Sequence, residues 1–215
     1  MADIFVEVDE ALKQEKLELL WKKYGGILIG AIIAIILGTA ANAGYKSWKT
    51  NHDTKQTDIY LSTLDKTSPT ADDILSITND LEGGLKTLTQ IKAAGTAYKN
   101  GNIEKAAKIY ASITSDENAD PNLKHLAAYM TAHTSSNLDN ELKLVSFQAM
   151  AENDENPWNL YAKLDAALLL ANEKKDYTAA RKYLKEINDN EKAPKTLRQK
   201  AQSIDILYAL KQSAK

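Results

Sequence analysis

The chain has 215 residues, with 27 Lys and Arg against 29 Asp and Glu, no cysteine, 9 glycines and 4 prolines. That length allows one domain plus an appendage, and 44% hydrophobic with 26% charged residues is the balance of a folding chain, not a disordered one. A formal charge of -2 exerts no pull on nucleic acid, and the lack of cysteine excludes disulfides, zinc ribbons and thiol chemistry.

The first 23 residues carry six acids (Asp3, Glu7, Asp9, Glu10, Glu15, Glu18). Leu17, Leu20, Trp21 and Tyr24 fall on one face at helical spacing, which predicts a short amphipathic helix in segment 1–23 with Asp9 as its N-cap. From Tyr24 to Tyr45 there is no charged side chain. As a helix these residues reach about 33 Å, against about 30 Å of bilayer hydrocarbon. Trp21 and Tyr24 at one end and Tyr45 and Trp48 at the other match interfacial aromatic belts, and Lys22, Lys23, Lys46 and Lys49 are placed to reach head groups. Residues 24–45 are therefore expected to be a transmembrane helix inserted in the lipid bilayer. Ala41-Asn42-Ala43 before Gly44 has the small-x-small form of a cleavage site, so a cleaved leader is the alternative; the long acidic lead-in favours a retained anchor. Four lysines precede the span (Lys13, Lys16, Lys22, Lys23) and three follow it closely (Lys46, Lys49, Lys55), which inclines the N-terminus to the inside. Gly26, Gly30, Ala34, Gly38 and Asn42 recur every four residues, a spacing that lets a second membrane helix approach closely.

From Lys46 onward acids and bases balance, no segment alternates like a strand, and alanine, leucine, lysine and glutamate dominate, so the remainder reads as helical. Pro121, Pro157 and Pro194 are spaced 36 and 37 residues apart and each precedes a helical pattern; Pro69 stands likewise before Asp72-Asp73-Ile74-Leu75. The segment Ala97–Tyr110 recurs 74 residues later as Ala171–Leu184, with Ala97/Ala171, Ala106/Ala180 and Lys108/Lys182 identical, Asn102/Asp176 as matching caps and Ile113/Ile187 closing the helix. Two units of about 37 residues fit that shift, with a degenerate unit between them. Such self-similarity marks a solenoid of stacked hairpins. The expected helices are 87–99 with 102–113, 121–134 with 138–151, 158–174 with 176–187, and a closing helix 195–211. A first helix, about 46–66, continues from the span. Alanines 106 and 180 are predicted to allow close crossing, and Tyr110 and Leu184 to wedge between pairs.

These units resemble tetratricopeptide repeats, through Ala94, Gly101, Ala106 and Tyr110 in one and Tyr177 and Ala180 in another, although the period exceeds the family's usual 34 and Ala97 stands where it prefers tyrosine. The whole chain, from Val8-Asp9-Glu10 through Leu20-Trp21-Lys22-Lys23-Tyr24-Gly25 to the repeats, resembles the bacterial ancillary subunit of the Sec translocon. That resemblance implies a single-pass inner-membrane protein with a cytoplasmic segment 1–23, a span 24–45 and a periplasmic domain 46–215 built as a right-handed tetratricopeptide-like solenoid. It implies translocon membrane subunits, periplasmic chaperones and exported polypeptides as partners. The family's groove-facing positions carry over to Tyr98, Lys99, Lys124, Thr131, Asp165, Asn172 and Glu173.

Little points to catalysis. His125 and His133 lie eight residues apart, not the i, i+4 spacing of a helical metal pair, and Gly25-Gly26 and Gly83-Gly84 lack the lysine and hydroxyl continuation of a phosphate loop. Asp72-Asp73 and Asp154-Glu155 are expected to cap helix starts. No cofactor and no metal are expected, and the expected role is a non-enzymatic scaffold. The alternative is a soluble periplasmic repeat adaptor in envelope assembly or division, released by cleavage near Ala43-Gly44.

Overall fold

The computed structural model describes residues 2–135 and 139–213, and the side chains among them from Glu15 onward. Its described residues form nine α-helices, one 3-10 turn and no strand. The chain divides into two compact units, one ending at Lys55 and one beginning at Gln56.

Helix α1 runs unbroken over Ala2–Leu64, crossing the anticipated boundaries at 23/24 and 45/46. It passes through Asp9, so Asp9 is an interior helical residue and not the expected cap. Within α1 lies a stretch long and apolar enough to cross a membrane, with a mean hydropathy of 2.1 over its richest window. Its large apolar side chains, Ile27 to Leu37, are exposed within the protein.

The second unit begins in the last turns of α1, where Gln56 and Thr63 are buried and Gln56 Oε1 accepts the backbone N–H of Glu82 at 2.7 Å. The short α2 (Ala71–Ser76) is fixed by a capping box: Thr70 Oγ1 accepts from the Asp73 N–H, and Asp73 accepts from the Thr70 N–H. There follow a 3-10 turn (Thr78–Asp80), α3 (Gly83–Lys99), α4 (Ile103–Ser115), α5 (Pro121–Thr134), α6 (Asn140–Ala151), α7 (Asn159–Asn172), α8 (Tyr177–Asn188) and α9 (Lys195–Ser213). The helices expected from residue 87 onward are all present within a few residues of their bounds, while those expected before residue 66 are merged in α1; the expected start at 138 lies outside the described residues. Consecutive helices pack on one another from α2 to α9, and α3 also touches α5 and α7 touches α9. This is the local, sequential packing of a helical repeat stack.

The 37-residue period is written in the caps. Asn102, Asp139 and Asp176 are spaced 37 residues apart, and each side chain accepts the backbone N–H three residues on, from Lys105, Leu142 and Ala179. Ala97, Thr134 and Ala171 share another point of the period, as do Tyr110, Phe147 and Leu184, and all six are buried. Ala106 and Ala180 have no exposed surface, in keeping with close crossing of α3 with α4 and α7 with α8. Their counterpart in the middle pair is Lys143, and α5 and α6 pack more loosely on each other than the pairs to either side. Pro121 opens α5 behind the Asp120 cap, whose carboxylate accepts from Asn122 and Leu123. Asp154 and Glu155 do not cap α7. The residue before that helix, Trp158, makes no side-chain cap, and Asn156 Oδ1 accepts the Trp158 N–H in their place.

Candidate functional site

Where the middle pair lacks its small residue, rings fill the gap. Tyr129 and His133, one turn apart on α5, meet Phe147 of α6 at ring-centroid distances of 5.8 and 4.9 Å. Trp158, just before α7, stacks on Tyr129 at 5.9 Å and touches Tyr161 at 5.6 Å. Ring pairs at these separations add to ordinary burial, so the cluster helps hold α5, α6 and the start of α7 together.

The same cluster holds a polar centre between the first helices of adjacent pairs. Asp165 of α7 accepts, through Oδ2, the Tyr129 hydroxyl at 2.5 Å, and His133 Nε2 lies 3.0 Å from the same oxygen. The Asp165 side chain is 18% exposed and that of His133 37%, so the imidazole edge faces solvent while the carboxylate sits behind it. Burial, and secondarily Asp165, push the Tyr129 phenol well above its ordinary value, which keeps it protonated as a donor. The arrangement sets a partly exposed imidazole, held by Asp165, beside half-buried tyrosine and tryptophan rings.

Of the seven groove positions anticipated, Asp165 alone belongs to this cluster. Tyr98 and Asn172 occupy the same point of the period near the ends of α3 and α7, both exposed, and Lys99 and Glu173 follow them, also exposed. Lys124 is half-buried on α5. Thr131 is half-buried too, and its hydroxyl donates to the Ala127 carbonyl at 2.8 Å. On α1, a methyl group added at Gly26, Gly30 or Gly38 would meet nothing within 4 Å, whereas at Gly25 it would meet the Trp21 ring at 3.2 Å. Sequence reasoning missed Tyr129, His133, Phe147 and Trp158. The signal was available in the spacing, since Asp165 lies 36 residues after Tyr129 and His133 four after it, which places them on neighbouring first helices.

A match to the tetratricopeptide repeat-like domain family covers residues 19–133, more than half of the chain, and the protein belongs to that family. Domains of this kind typically serve as non-enzymatic scaffolds that bind other proteins. No curated protein and no solved structure matches the chain.

Proposed function

We propose that the protein is a membrane-anchored scaffold for protein–protein interaction, held by residues 24–45 with its N-terminus in the cytoplasm and its repeat domain on the far side of a bacterial inner membrane. The observation that carries this is the family match itself: it begins at Leu19, ahead of the apolar block, and runs to His133, so the block and the first repeat helices are matched as one piece. A disposable leader would not be expected inside such a match. Anchoring confines the repeat domain to the neighbourhood of its partners and raises their effective concentration without any added contact.

The resemblance of the Trp21-Lys22-Lys23-Tyr24-Gly25 junction and the repeats to the ancillary Sec subunit supports a finer reading. On it, the protein is an accessory of the translocon that links exported polypeptides to periplasmic chaperones. The groove positions Tyr98, Lys99, Lys124, Thr131, Asp165, Asn172 and Glu173, with Tyr129 and His133, hold the polypeptide, and Gly26, Gly30, Ala34 and Gly38 pack against a translocon span. The test is photo-crosslinking in cells from Tyr98 and His133, followed by mild-detergent purification. Translocon subunits and chaperones should be recovered; recovery of cytoplasmic enzymes alone would overturn the reading.

Ala41-Asn42-Ala43 favours one second reading, a soluble adaptor released by cleavage. Alkaline extraction separates the two, because a retained span stays with the lipid.

A further inference from the structure

Helix α9 exposes an apolar face where α7, one period earlier, buries two of the corresponding side chains. It stands in register with α3, α5 and α7: Tyr208 falls 37 residues after Ala171 and is buried, as Ala97, Thr134 and Ala171 are. One period before Leu207 and Ser203 stand Leu170 and Ala166, both buried in the core that α7 and α8 share. On α9 that cover is missing. Leu207 is 48% exposed, and Ile206 and Leu210 beside it are 58% and 66% exposed. Ser203, Ile206, Leu207 and Leu210 follow one another at i, i+3, i+4 and i+7, a continuous stripe on one side of the helix.

The stripe does not arise from a loosely held helix. On its other side α9 buries Leu197, Ala201 and Tyr208. Its flank is tied to α8 by Arg181 Nε donating to Asp205 at 2.7 Å and by Gln212 Nε2 donating to Thr178 at 2.9 Å. Charge then decides what covers the stripe. α9 carries Lys195, Arg198, Lys200 and Lys211, and its single acid, Asp205, is already paired with Arg181. Lys200 and Lys211 fall at helical spacing along the Leu207 edge of the stripe. Two copies joined through this face would set like charges against each other, whereas an acidic-edged helix would be drawn to it.

We propose that the Ile206–Leu207–Leu210 stripe docks an amphipathic helix of another protein, apolar on one face and edged with Asp and Glu. This surface is separate from the Tyr129–Asp165 cluster and does not depend on the groove reading.

The experiment uses the full chain in nanodiscs of zwitterionic lipid and a labelled helical peptide of about 16 residues, with leucines at i, i+3, i+4 and i+7 and glutamates along both edges. Fluorescence anisotropy should show saturable binding that weakens at high salt. The same peptide with lysine edges should bind at least about tenfold more weakly, and so should the glutamate peptide to Leu207→Glu and to Leu210→Glu. Both sites are exposed, so circular dichroism should show the fold unchanged. Tyr129→Phe, within the groove cluster, should bind the peptide as well as the parent does. Equal binding of the two peptides, or indifference to the Leu207 and Leu210 changes, would overturn the proposal. Loss of binding in Tyr129→Phe would do the same, by moving the site to the groove. Light scattering that shows a dimer dissolved by Leu207→Glu would give the face to a second copy. Quenching by lipid-borne quencher of a dye on Leu207→Cys, the only thiol in a chain without cysteine, would give it to the membrane.

Discussion

Gly101 and Lys175 occupy the same point of the repeat, 74 residues apart, and both hold the left-handed backbone, with φ of 80° and 53°. Each sits in the turn between the two helices of a pair, just before the capping residue of the second. A glycine takes this conformation freely; a lysine is strained in it by about 1 kcal/mol. The Lys175 ammonium recovers part of that by donating to the Asn172 carbonyl at 2.7 Å, at the C-terminal end of α7.

Lys175→Gly should therefore stabilise the repeat unit, by somewhat less than about 1 kcal/mol because the Asn172 contact is lost. Gly101→Ala should destabilise it by about 1 kcal/mol, and since an added methyl there meets nothing within 4 Å the cost is one of backbone conformation alone. Urea unfolding followed by circular dichroism reads both. Equal and opposite midpoint shifts of the wrong sign would refute the assignment of these two turns as equivalents.

The three caps make a second test of the period. Asp139→Ala and Asp176→Ala each remove the side-chain acceptor at the start of a second helix, and each should cost about 1 kcal/mol. The residues lie in different hairpins, so the double variant should lose the sum within about 0.5 kcal/mol. An Asp139→Ala change with no effect on the midpoint would mean that the middle hairpin does not share the unit's construction.

The caps also show why most of the stack was legible. Asn102 and Asp176 mark helix starts through local hydrogen bonding, and Ala106 and Ala180 mark close crossings through size, so each signal is carried by one residue and its neighbours. The middle unit hid its construction because Lys143 replaces that alanine, and its pairing rests on rings from α5, α6 and the start of α7. Tyr129, Phe147 and Trp158 are adjacent only once the period is known. Asp154 and Glu155 misled for the opposite reason: adjacent acids ahead of a helix look like caps, but Asn156 takes the bond. The continuity of α1 through Asp9 was equally hidden, since a good cap residue inside a helix differs from a cap only by where the chain before it goes.

In the proposed anchor, Gly30→Ile with Gly38→Ile should weaken association with a membrane-embedded partner and leave the repeat unit untouched. The structure leaves open space for a side chain at both positions, so neither change strains α1 itself. Co-purification in mild detergent, set beside the urea midpoint of the repeat unit, separates the two effects. Unchanged recovery of every partner would remove the glycine stripe from consideration.

The Tyr129–Asp165 bond gives a test in solution. Burial raises the Tyr129 phenol first and Asp165 adds to it; burial followed by the nearby Tyr98 raises Tyr110, and burial followed by Tyr177 raises Tyr208. Each folded-state phenol thus holds its proton to higher pH than it would in the unfolded chain, where it is released near pH 10. The stability this contributes is fully present below about pH 10 and is lost as pH rises toward the folded values. In a spectrophotometric titration a late fraction of the phenols should ionise only as helical signal falls. Tyr129→Phe should shrink that late fraction. It should also cost about 1.5 kcal/mol at neutral pH, because Asp165 loses a donor while remaining half-buried. Asp165→Asn keeps an acceptor for Tyr129 and should cost less. A late fraction unchanged by Tyr129→Phe would place the buried phenols elsewhere and remove the basis for reading Asp165 as the polar centre of the α5–α7 seam.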